Sequence, residues 1–156
     1  EAKPEIRFQI AGSVKRRKRY IALANDLKVK NIDFIDWVSY QDTALKIAQA
    51  DICLGGHFSQ QPKASRVISG KTFFYLAMKK AVIVGDNPAT REVFNHLEDI
   101  YACKMADEFS LAEGITRLKE DPRLRESIAE QGNRLFVNRF SLDITEQVLS
   151  GVIDNL

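Results

Sequence analysis

The sequence has little of what redox, metal-dependent and membrane-spanning proteins require. It contains only two cysteines, Cys53 and Cys103, and two histidines, and their separations match neither a zinc site nor a disulfide framework. No apolar run approaches the roughly 18 residues of a transmembrane helix, and the first residues have no signal-peptide pattern. We therefore expect a cytoplasmic protein that uses no metal ion and no cofactor.

The positive and negative charges of the chain are almost balanced. Its 23 basic and 21 acidic side chains leave a net charge of +2 at pH 7, which is too small to indicate a nucleic-acid partner. The densest run of charge is Lys15–Arg19, where five basic residues follow one another. One interpretation of this run is a peripheral contact with anionic membrane lipid or with an acidic acceptor, and the other is an ordinary solvated helix face.

Two common glycine-rich phosphate-binding motifs are absent. The dinucleotide fingerprint G-x-G-x-x-G should follow the first strand, where residues 11–14 instead read AGSV. The P-loop motif G-x-x-x-x-G-K-[ST] is matched only at its end, by GKT at residues 70–72, because Ser65 occupies the position of its first glycine. These absences argue against a dinucleotide-dependent enzyme and against P-loop nucleotide hydrolysis.

Short apolar runs alternate with helical patterns along the whole chain. This alternation is typical of parallel strands joined by crossover helices. We therefore predict one domain over residues 1–156, an α/β fold of the Rossmann-like, three-layer sandwich type with a parallel sheet of about five strands. The predicted strands are Ile6–Ala11, Asn31–Ile35, Asp51–Leu54, Ala81–Val84 and Ile100–Cys103.

Polar residues mark the starts of the predicted helices. At positions 39 and 110 a serine has an acidic residue three positions further on, which is the spacing of a capping box. At positions 87 and 121 the polar residue precedes a proline, which favours the first helical position. The predicted N-caps are Ser39, Asn87, Ser110, Asp121 and Ser141.

The segment Gly55–Gly70 is the least regular part of the sequence and the predicted binding region. It leaves the carboxyl end of the third strand, which is the edge where open parallel sheets bind ligands, and it leads into a helix. A helix N-terminus carries free N–H groups, Lys71 adds a cation and Thr72 a hydroxyl, so a diphosphate is the expected ligand. The alternative is that Gly70 only turns the chain and that Lys71 faces water.

Several blocks of the sequence, taken in order, resemble the retaining glycosyltransferases of family 4 (group 1), which have the two-domain GT-B fold. No single block is specific, and the resemblance rests on their order and spacing across nearly the whole chain. The blocks are Phe8–Gly12, Asn31–Phe34, Ala50–Leu54, Lys71–Met78, Ala81–Asp86, Thr90–Val93 and Asp121–Arg125.

This resemblance implies that the chain is the C-terminal, donor-binding half of such an enzyme. A nucleotide-diphosphate sugar would bind here, and the sugar would pass with retention to a glycan or lipid-linked acceptor held mainly by an N-terminal domain. Family members have a further strand and helix before the block at Phe8, and these elements and the N-terminal domain are expected to be missing from the 156 residues. Alone, the chain is expected to be inactive, and no residue in it is assigned a catalytic role.

The resemblance also assigns residues to parts of the donor. Gly70, Lys71 and Thr72 match the stretch whose amides meet the diphosphate. Arg66 and Phe74 occupy the positions of a glutamate pair in the family; Arg66 is expected to supply positive charge to the diphosphate, and Phe74 replaces a residue that binds the ribose.

Four further residues are assigned to the nucleobase or to the sugar. Trp37 and Val38 match the region that lines the nucleobase, although packing is the alternative role for Trp37. His57 lies in the irregular loop beside Gly56, where an imidazole can bond a phosphate or a sugar hydroxyl; simple exposure of that histidine is the alternative.

Two other functions compete with the glycosyltransferase interpretation. The first is a non-catalytic, Rossmann-like binding domain derived from a glycosyltransferase, which Arg66 and Phe74 favour. The second is an unrelated Rossmann-like enzyme such as a sugar-nucleotide epimerase, against which the missing glycine fingerprint argues.

Overall fold

The chain forms an α/β structure that divides into two compact units. The computed structural model describes residues 5–12, 14–36 and 38–154, without the side chains of residues 14–16. The first unit comprises residues 1–45 and the second residues 46–156. The site prediction concerns mainly the second unit.

The first unit is a parallel β–α–β arrangement. Strands β1 (Phe8–Ala11) and β2 (Ile32–Ile35) pair in parallel, and Phe8 lies opposite Ile32. Helix α1 (Val14–Asp26) connects them, as a crossover between parallel strands must. Helix α2 (Tyr40–Ala48) begins in this unit and ends in the second.

The second unit contains a three-stranded parallel sheet. Its strands are β3 (Ile52–Leu54), β4 (Ala81–Asp86) and β5 (Tyr101–Lys104), with β4 in the centre. The remaining helices belong to this unit, together with a short 3-10 helix at Ala64–Arg66. They are α3 (Gly70–Ala77), α4 (Pro88–Val93), α5 (Glu108–Glu120), α6 (Pro122–Phe140) and α7 (Leu142–Ile153).

The apolar run of β4 forms the core of the second unit. Alternate side chains of a strand point to opposite faces, so Ala81 and Ile83 join one cluster while Val82 and Val84 join another. Residues of α5 and α6 complete the first cluster and residues of α3 contribute to the second. Because both faces are covered, every residue of β4 up to Gly85 is buried, and this unit has the predicted three layers.

All five predicted strands form, but the prediction that they belong to one sheet is wrong. Five strands form in the described residues, with bounds that differ from the predicted ones by one or two residues. They pair as a sheet of two and a sheet of three, and not as one sheet of five. Alternation along the sequence predicts that neighbouring strands run parallel, but it does not say which strands pair.

Four of the five predicted N-caps are confirmed. Ser39, Asn87, Asp121 and Ser141 each accept a hydrogen bond from the backbone N–H three residues further on. The cap predicted at Ser110 is wrong, because α5 begins three residues earlier and Asp107 accepts from the Ser110 N–H at 2.9 Å. The Ser110 hydroxyl instead accepts from the Lys104 N–H at 3.0 Å.

None of the helices in the described ranges combines the length and the apolar character needed to cross a bilayer.

Candidate functional site at the carboxyl edge of the three-stranded sheet

The chain leaves β3 through two glycines, Gly55 and Gly56. The Gly55 N–H donates to the Ile83 carbonyl at 2.8 Å, so the chain is still paired with β4 there. Gly56 then adopts a φ of +72°, in the left-handed region that side chains disfavour. The segment that follows β3 is therefore turned at the carboxyl edge of the sheet.

Lys71 lies beside Gly56. A Cβ atom placed on Gly56 would stand 3.8 Å from Cε of Lys71 and 3.9 Å from its Nζ, so the exposed ammonium group reaches the turn after β3. Lys71 is the second residue of α3, and Ser69, which precedes this helix, makes no side-chain capping bond. The geometry therefore brings a cation and an uncapped helix N-terminus together, as the sequence predicted.

Thr72 is placed differently from Lys71. Its side chain is completely buried, and a Cβ on Gly55 would lie only 2.6 Å from its Oγ1. Among the described residues that hydroxyl has no hydrogen-bond partner, and the Thr72 N–H donates to the Ser69 carbonyl at 2.9 Å. The hydroxyl that the sequence offered to a phosphate is thus buried and the N–H is already bonded, which leaves Gly70 and Lys71 on the open side.

Thr72→Val is expected to raise the free energy of unfolding by about 1 kcal/mol, because a buried hydroxyl without a partner costs about 1–3 kcal/mol. Thr90→Val is the matched control, since the Thr90 hydroxyl donates to the Gly85 carbonyl at 3.1 Å and its loss should lower stability by about 1 kcal/mol. Urea unfolding of both variants measures the difference. An equal loss of stability in both would mean that the Thr72 hydroxyl has a partner.

The loop after β3 is held against the ends of the other two strands. A Cβ on Gly85, in β4, would fall 2.0 Å from the His57 carbonyl oxygen and 2.3 Å from Sδ of Met105. The Ala106 N–H donates to the Phe58 carbonyl at 2.6 Å. Sequence analysis missed these contacts, and the only signal for them was a glycine at the end of an otherwise bulky apolar strand.

Asn87 links the second half of the loop to the same edge. Its buried side chain caps α4 through Oδ1, as predicted, and its Nδ2 donates to the Ala64 carbonyl at 3.2 Å. This second bond ties the 3-10 helix that contains Arg66 to the start of α4. The capping signal in the sequence gave no indication of it.

The segment that leads from β3 into α3 carries positive charge. Residues 52–85 contain no Asp or Glu; Lys63, Arg66 and Lys71 lie between β3 and the first turn of α3, whereas Lys79 and Lys80 follow the far end of that helix. The next acidic residue, Asp86, accepts two hydrogen bonds from Arg91, one from Nε at 2.6 Å and one from Nη2 at 2.8 Å. These bonds from Arg91 lower the pKa of Asp86, which therefore stays ionised and paired.

Three other predicted site residues, Arg66, His57 and Phe74, are exposed to solvent. Arg66 and His57 are exposed, and Arg66 makes no ion pair with any residue in the described part of the chain. Phe74 is 56% exposed, whereas its neighbour Phe73 packs edge-on to Phe140. Phe74 therefore lies outside the core of the second unit.

The two residues predicted to line the nucleobase do not belong to the second unit. Val38 is half-buried in the first unit. Trp37 lies outside the described residues. Their role stays a prediction, and so does the absence of a metal ion, although no three His, Cys, Asp or Glu side chains form a metal-like group within the described ranges.

His96 is a second residue of this unit whose pKa is shifted by its surroundings. Its Nδ1 accepts the Ala102 N–H at 2.9 Å, so that nitrogen must be unprotonated in the fold. Burial lowers the pKa of His96 and Arg117 lowers it further, while Asp86 acts in the opposite direction. The neutral imidazole is therefore the form that fits β5.

The stability of the chain should consequently fall as His96 becomes protonated. Its folded pKa is below the unfolded value of about 6.5, so the stabilisation is complete above that pH and is lost as the pH falls through the folded pKa. His96→Asn keeps a hydrogen-bond acceptor that does not titrate. Unfolding at about pH 7.5 and about pH 5.5 should show a larger pH effect in the parent than in this variant, and equal effects would contradict the assignment.

Comparison with known proteins identifies the family. The model of the family described as glycosyl transferase-like matches residues 1–145. No curated protein sequence matches the chain.

Several solved structures share the fold, among them the following three. HepE from Anabaena, solved in complex with UDP, has a TM-score of 0.85 and 16% identity, and the match covers 99% of this chain and 42% of HepE. A glycosyltransferase from Rickettsia africae has a TM-score of 0.78 and 18% identity, and the match covers 94% of this chain and 39% of the Rickettsia chain. The third is the C-terminal domain of a glycosyl transferase group 1 family protein (LpcC) from Francisella tularensis. Its TM-score is 0.62 at 20% identity, and the match covers 83% of this chain and 64% of the LpcC chain.

At these identities the structural likeness establishes the fold alone, and the chain spans less than half of the HepE and Rickettsia chains. The family match covers most of the sequence and establishes membership. The chain therefore belongs to the glycosyl transferase-like family and has the Rossmann-like fold of the C-terminal domain of a GT-B glycosyltransferase.

Proposed function

We propose that the chain binds the diphosphate of a nucleotide sugar at the carboxyl edge of its three-stranded sheet. The observation that carries this proposal is the juxtaposition of the Lys71 ammonium group, the left-handed turn at Gly56 and the N-terminus of α3 without a side-chain cap. A diphosphate accepts hydrogen bonds from backbone N–H groups and pairs with an ammonium ion. Gly70, exposed and at the first position of α3, lets the ligand approach the backbone.

The charge distribution supports an anionic ligand at this edge. Arg66 is exposed on the loop that leads to α3, and the segment 52–85 offers no carboxylate to repel a phosphate. Asp86, the acidic residue that follows this segment at the carboxyl end of β4, is paired with Arg91. His57 follows Gly56 directly, and its exposed imidazole is proposed to contact the sugar or a phosphate.

A uridine nucleotide is the first ligand to test. HepE, which shares the fold, was solved with UDP and with UDP-glucose. In the proposed donor site Phe74 presents an exposed ring on α3, one helical turn beyond Lys71, where it is available to a ribose or a base. Trp37 and Val38 are proposed to line the nucleobase.

In the longer protein we propose a sugar transfer with retention. The bond between the anomeric carbon and the diphosphate oxygen breaks, and the diphosphate keeps the electron pair. An acceptor hydroxyl oxygen bonds to that carbon, and its proton passes to the departing diphosphate oxygen. Lys71 and the amides at the start of α3 stabilise the leaving diphosphate. The acceptor, a glycan or a lipid-linked molecule, is held by an N-terminal domain, and the 156 residues alone carry out no transfer.

The proposed location is the cytoplasm. Cys53 and Cys103 are both free and buried, and burial raises the pKa of each thiol to about 11, so neither is reactive. Such unpaired cysteines are usual in a reducing compartment.

Calorimetric titration of the chain with UDP, GDP, ADP and CMP tests the proposal. Saturable binding of one nucleoside diphosphate, with CMP much weaker, is the expected result. Failure of every nucleotide to bind, both to this chain and to the longer protein, would refute it. Binding without any transfer from UDP-glucose or another donor by the longer protein would favour the non-catalytic alternative, which the arginine and phenylalanine at positions 66 and 74 already suggest.

A further inference from the structure

Helix α1 exposes an apolar stripe. Tyr20, Leu23 and Leu27 lie at i, i+3 and i+7 and are 50%, 52% and 66% exposed. This spacing places them on one side of the helix axis. Ala24, at i+4 from Tyr20, lies beside this stripe and is buried. The first unit therefore covers the helix at Ala24 and leaves the three large side chains next to it about half or more exposed.

The same part of the chain is strongly basic. Residues 15–30 contain seven Lys or Arg and a single acidic residue, Asp26. Arg17 pairs with Asp36, whereas Lys18 and Arg19 are exposed. Beyond the helix, Lys28 and Lys30 are exposed on either side of Val29, which is itself 38% exposed. Arg19, next to Tyr20, and Lys28 and Lys30 beyond the helix therefore place positive charge beside the apolar stripe, whereas Lys18 lies on the opposite side of α1.

A second helix exposes apolar side chains without this charge. On α7, Leu142, Val148 and Leu149 are 80%, 61% and 58% exposed. Residues 141–156 contain three acidic residues and no Lys or Arg. Both α1 and α7 thus expose apolar side chains, but of these two helices only α1 combines them with basic residues.

We infer that α1 docks on a membrane surface that contains anionic lipid. The basic side chains complement the lipid phosphates, and Tyr20, Leu23 and Leu27 enter the boundary between headgroups and acyl chains. A tyrosine suits this boundary because its ring is apolar and its hydroxyl remains hydrated. The contact would hold the chain at a bilayer, and it is independent of nucleotide binding.

Co-sedimentation with lipid vesicles tests this docking surface. The chain is expected to bind vesicles containing about one-third phosphatidylglycerol at least about tenfold more strongly than pure phosphatidylcholine, and to release them at high salt. Leu23→Glu with Leu27→Glu should abolish binding. Both side chains are largely exposed, so circular dichroism and thermal unfolding should show an intact fold.

Val148→Glu with Leu149→Glu is the matched control, because it adds the same two negative charges to the other exposed apolar helix. It should leave vesicle binding unchanged. No binding to anionic vesicles, an equal loss in the α7 variant, or binding to a nucleic acid duplex in preference to vesicles would each overturn the inference.

Discussion

Lys71→Gln is expected to weaken UDP binding by about 10- to 100-fold, the largest single effect at the proposed site. An ammonium group that pairs with a phosphate contributes about 1.5–3 kcal/mol, and about 1.4 kcal/mol corresponds to a factor of ten in affinity. Lys71 is the cation that the structure places beside Gly56, at the turn after β3. Glutamine keeps most of the length of the side chain and removes only the charge.

Lys79→Gln provides the control for this variant. Lys79 follows the opposite end of α3 and pairs with Glu130, so its replacement removes the same charge from the same region. Calorimetry should show that UDP binding is nearly unchanged in Lys79→Gln. Equal weakening in both variants would mean that only general electrostatic attraction, and no contact at Lys71, holds the nucleotide.

Gly85→Ala is expected to lower the free energy of unfolding by about 3 kcal/mol, at the upper end of the range for overpacking. Its new Cβ would stand 2.0 Å from the His57 carbonyl oxygen, and a backbone atom cannot move aside as the end of a side chain can. The turn after β3 would have to shift, and with it Gly56. We therefore expect UDP binding to be lost together with stability, as measured by urea unfolding and calorimetry.

Gly70→Ala separates binding from folding. A Cβ at Gly70 meets no atom within 4 Å and the residue has no left-handed φ, so stability should be unchanged or slightly raised. If the ligand approaches the backbone there, UDP binding should weaken although the fold is intact. Full affinity in Gly70→Ala would remove Gly70 from the site and leave Lys71 as its main contact.

Much of the fold could be predicted because local signals are strong in this sequence. The run at residues 81–84 is apolar throughout, since β4 is covered on both faces, and such a run has few other interpretations. Asn87 and Asp121 each precede a proline that begins a helix, and both caps form. These are effects of neighbouring residues, which a sequence displays directly.

What could not be predicted depends on contacts between distant residues. Ser110 has the spacing of a capping box, but its hydroxyl is taken by the Lys104 N–H, and Asp107 caps the helix instead. The division of the strands into two sheets likewise depends on pairing that alternation does not encode. Local patterns propose such bonds, and tertiary packing decides which of them form.

In the candidate site, too, local features were predicted and contacts between distant residues were not. The loop after β3 and the start of α3 were predicted from the irregular segment and from Lys71. The burial of the Thr72 hydroxyl beneath Gly55 was not, because a threonine near a helix N-terminus has the same sequence signature whether it faces a ligand or the sheet. The packing of His57 against Gly85 was also hidden, since the two residues are far apart in sequence.

The most direct test of the nucleotide site is a map of UDP-induced chemical-shift changes in the amide spectrum of the chain. The proposed function predicts that the largest changes fall at the turn of Gly56 and His57 and at the start of α3, residues Gly70 and Lys71. Changes centred elsewhere in the second unit, for example on α6 or α7, would contradict the placement of the diphosphate at the carboxyl edge of the three-stranded sheet.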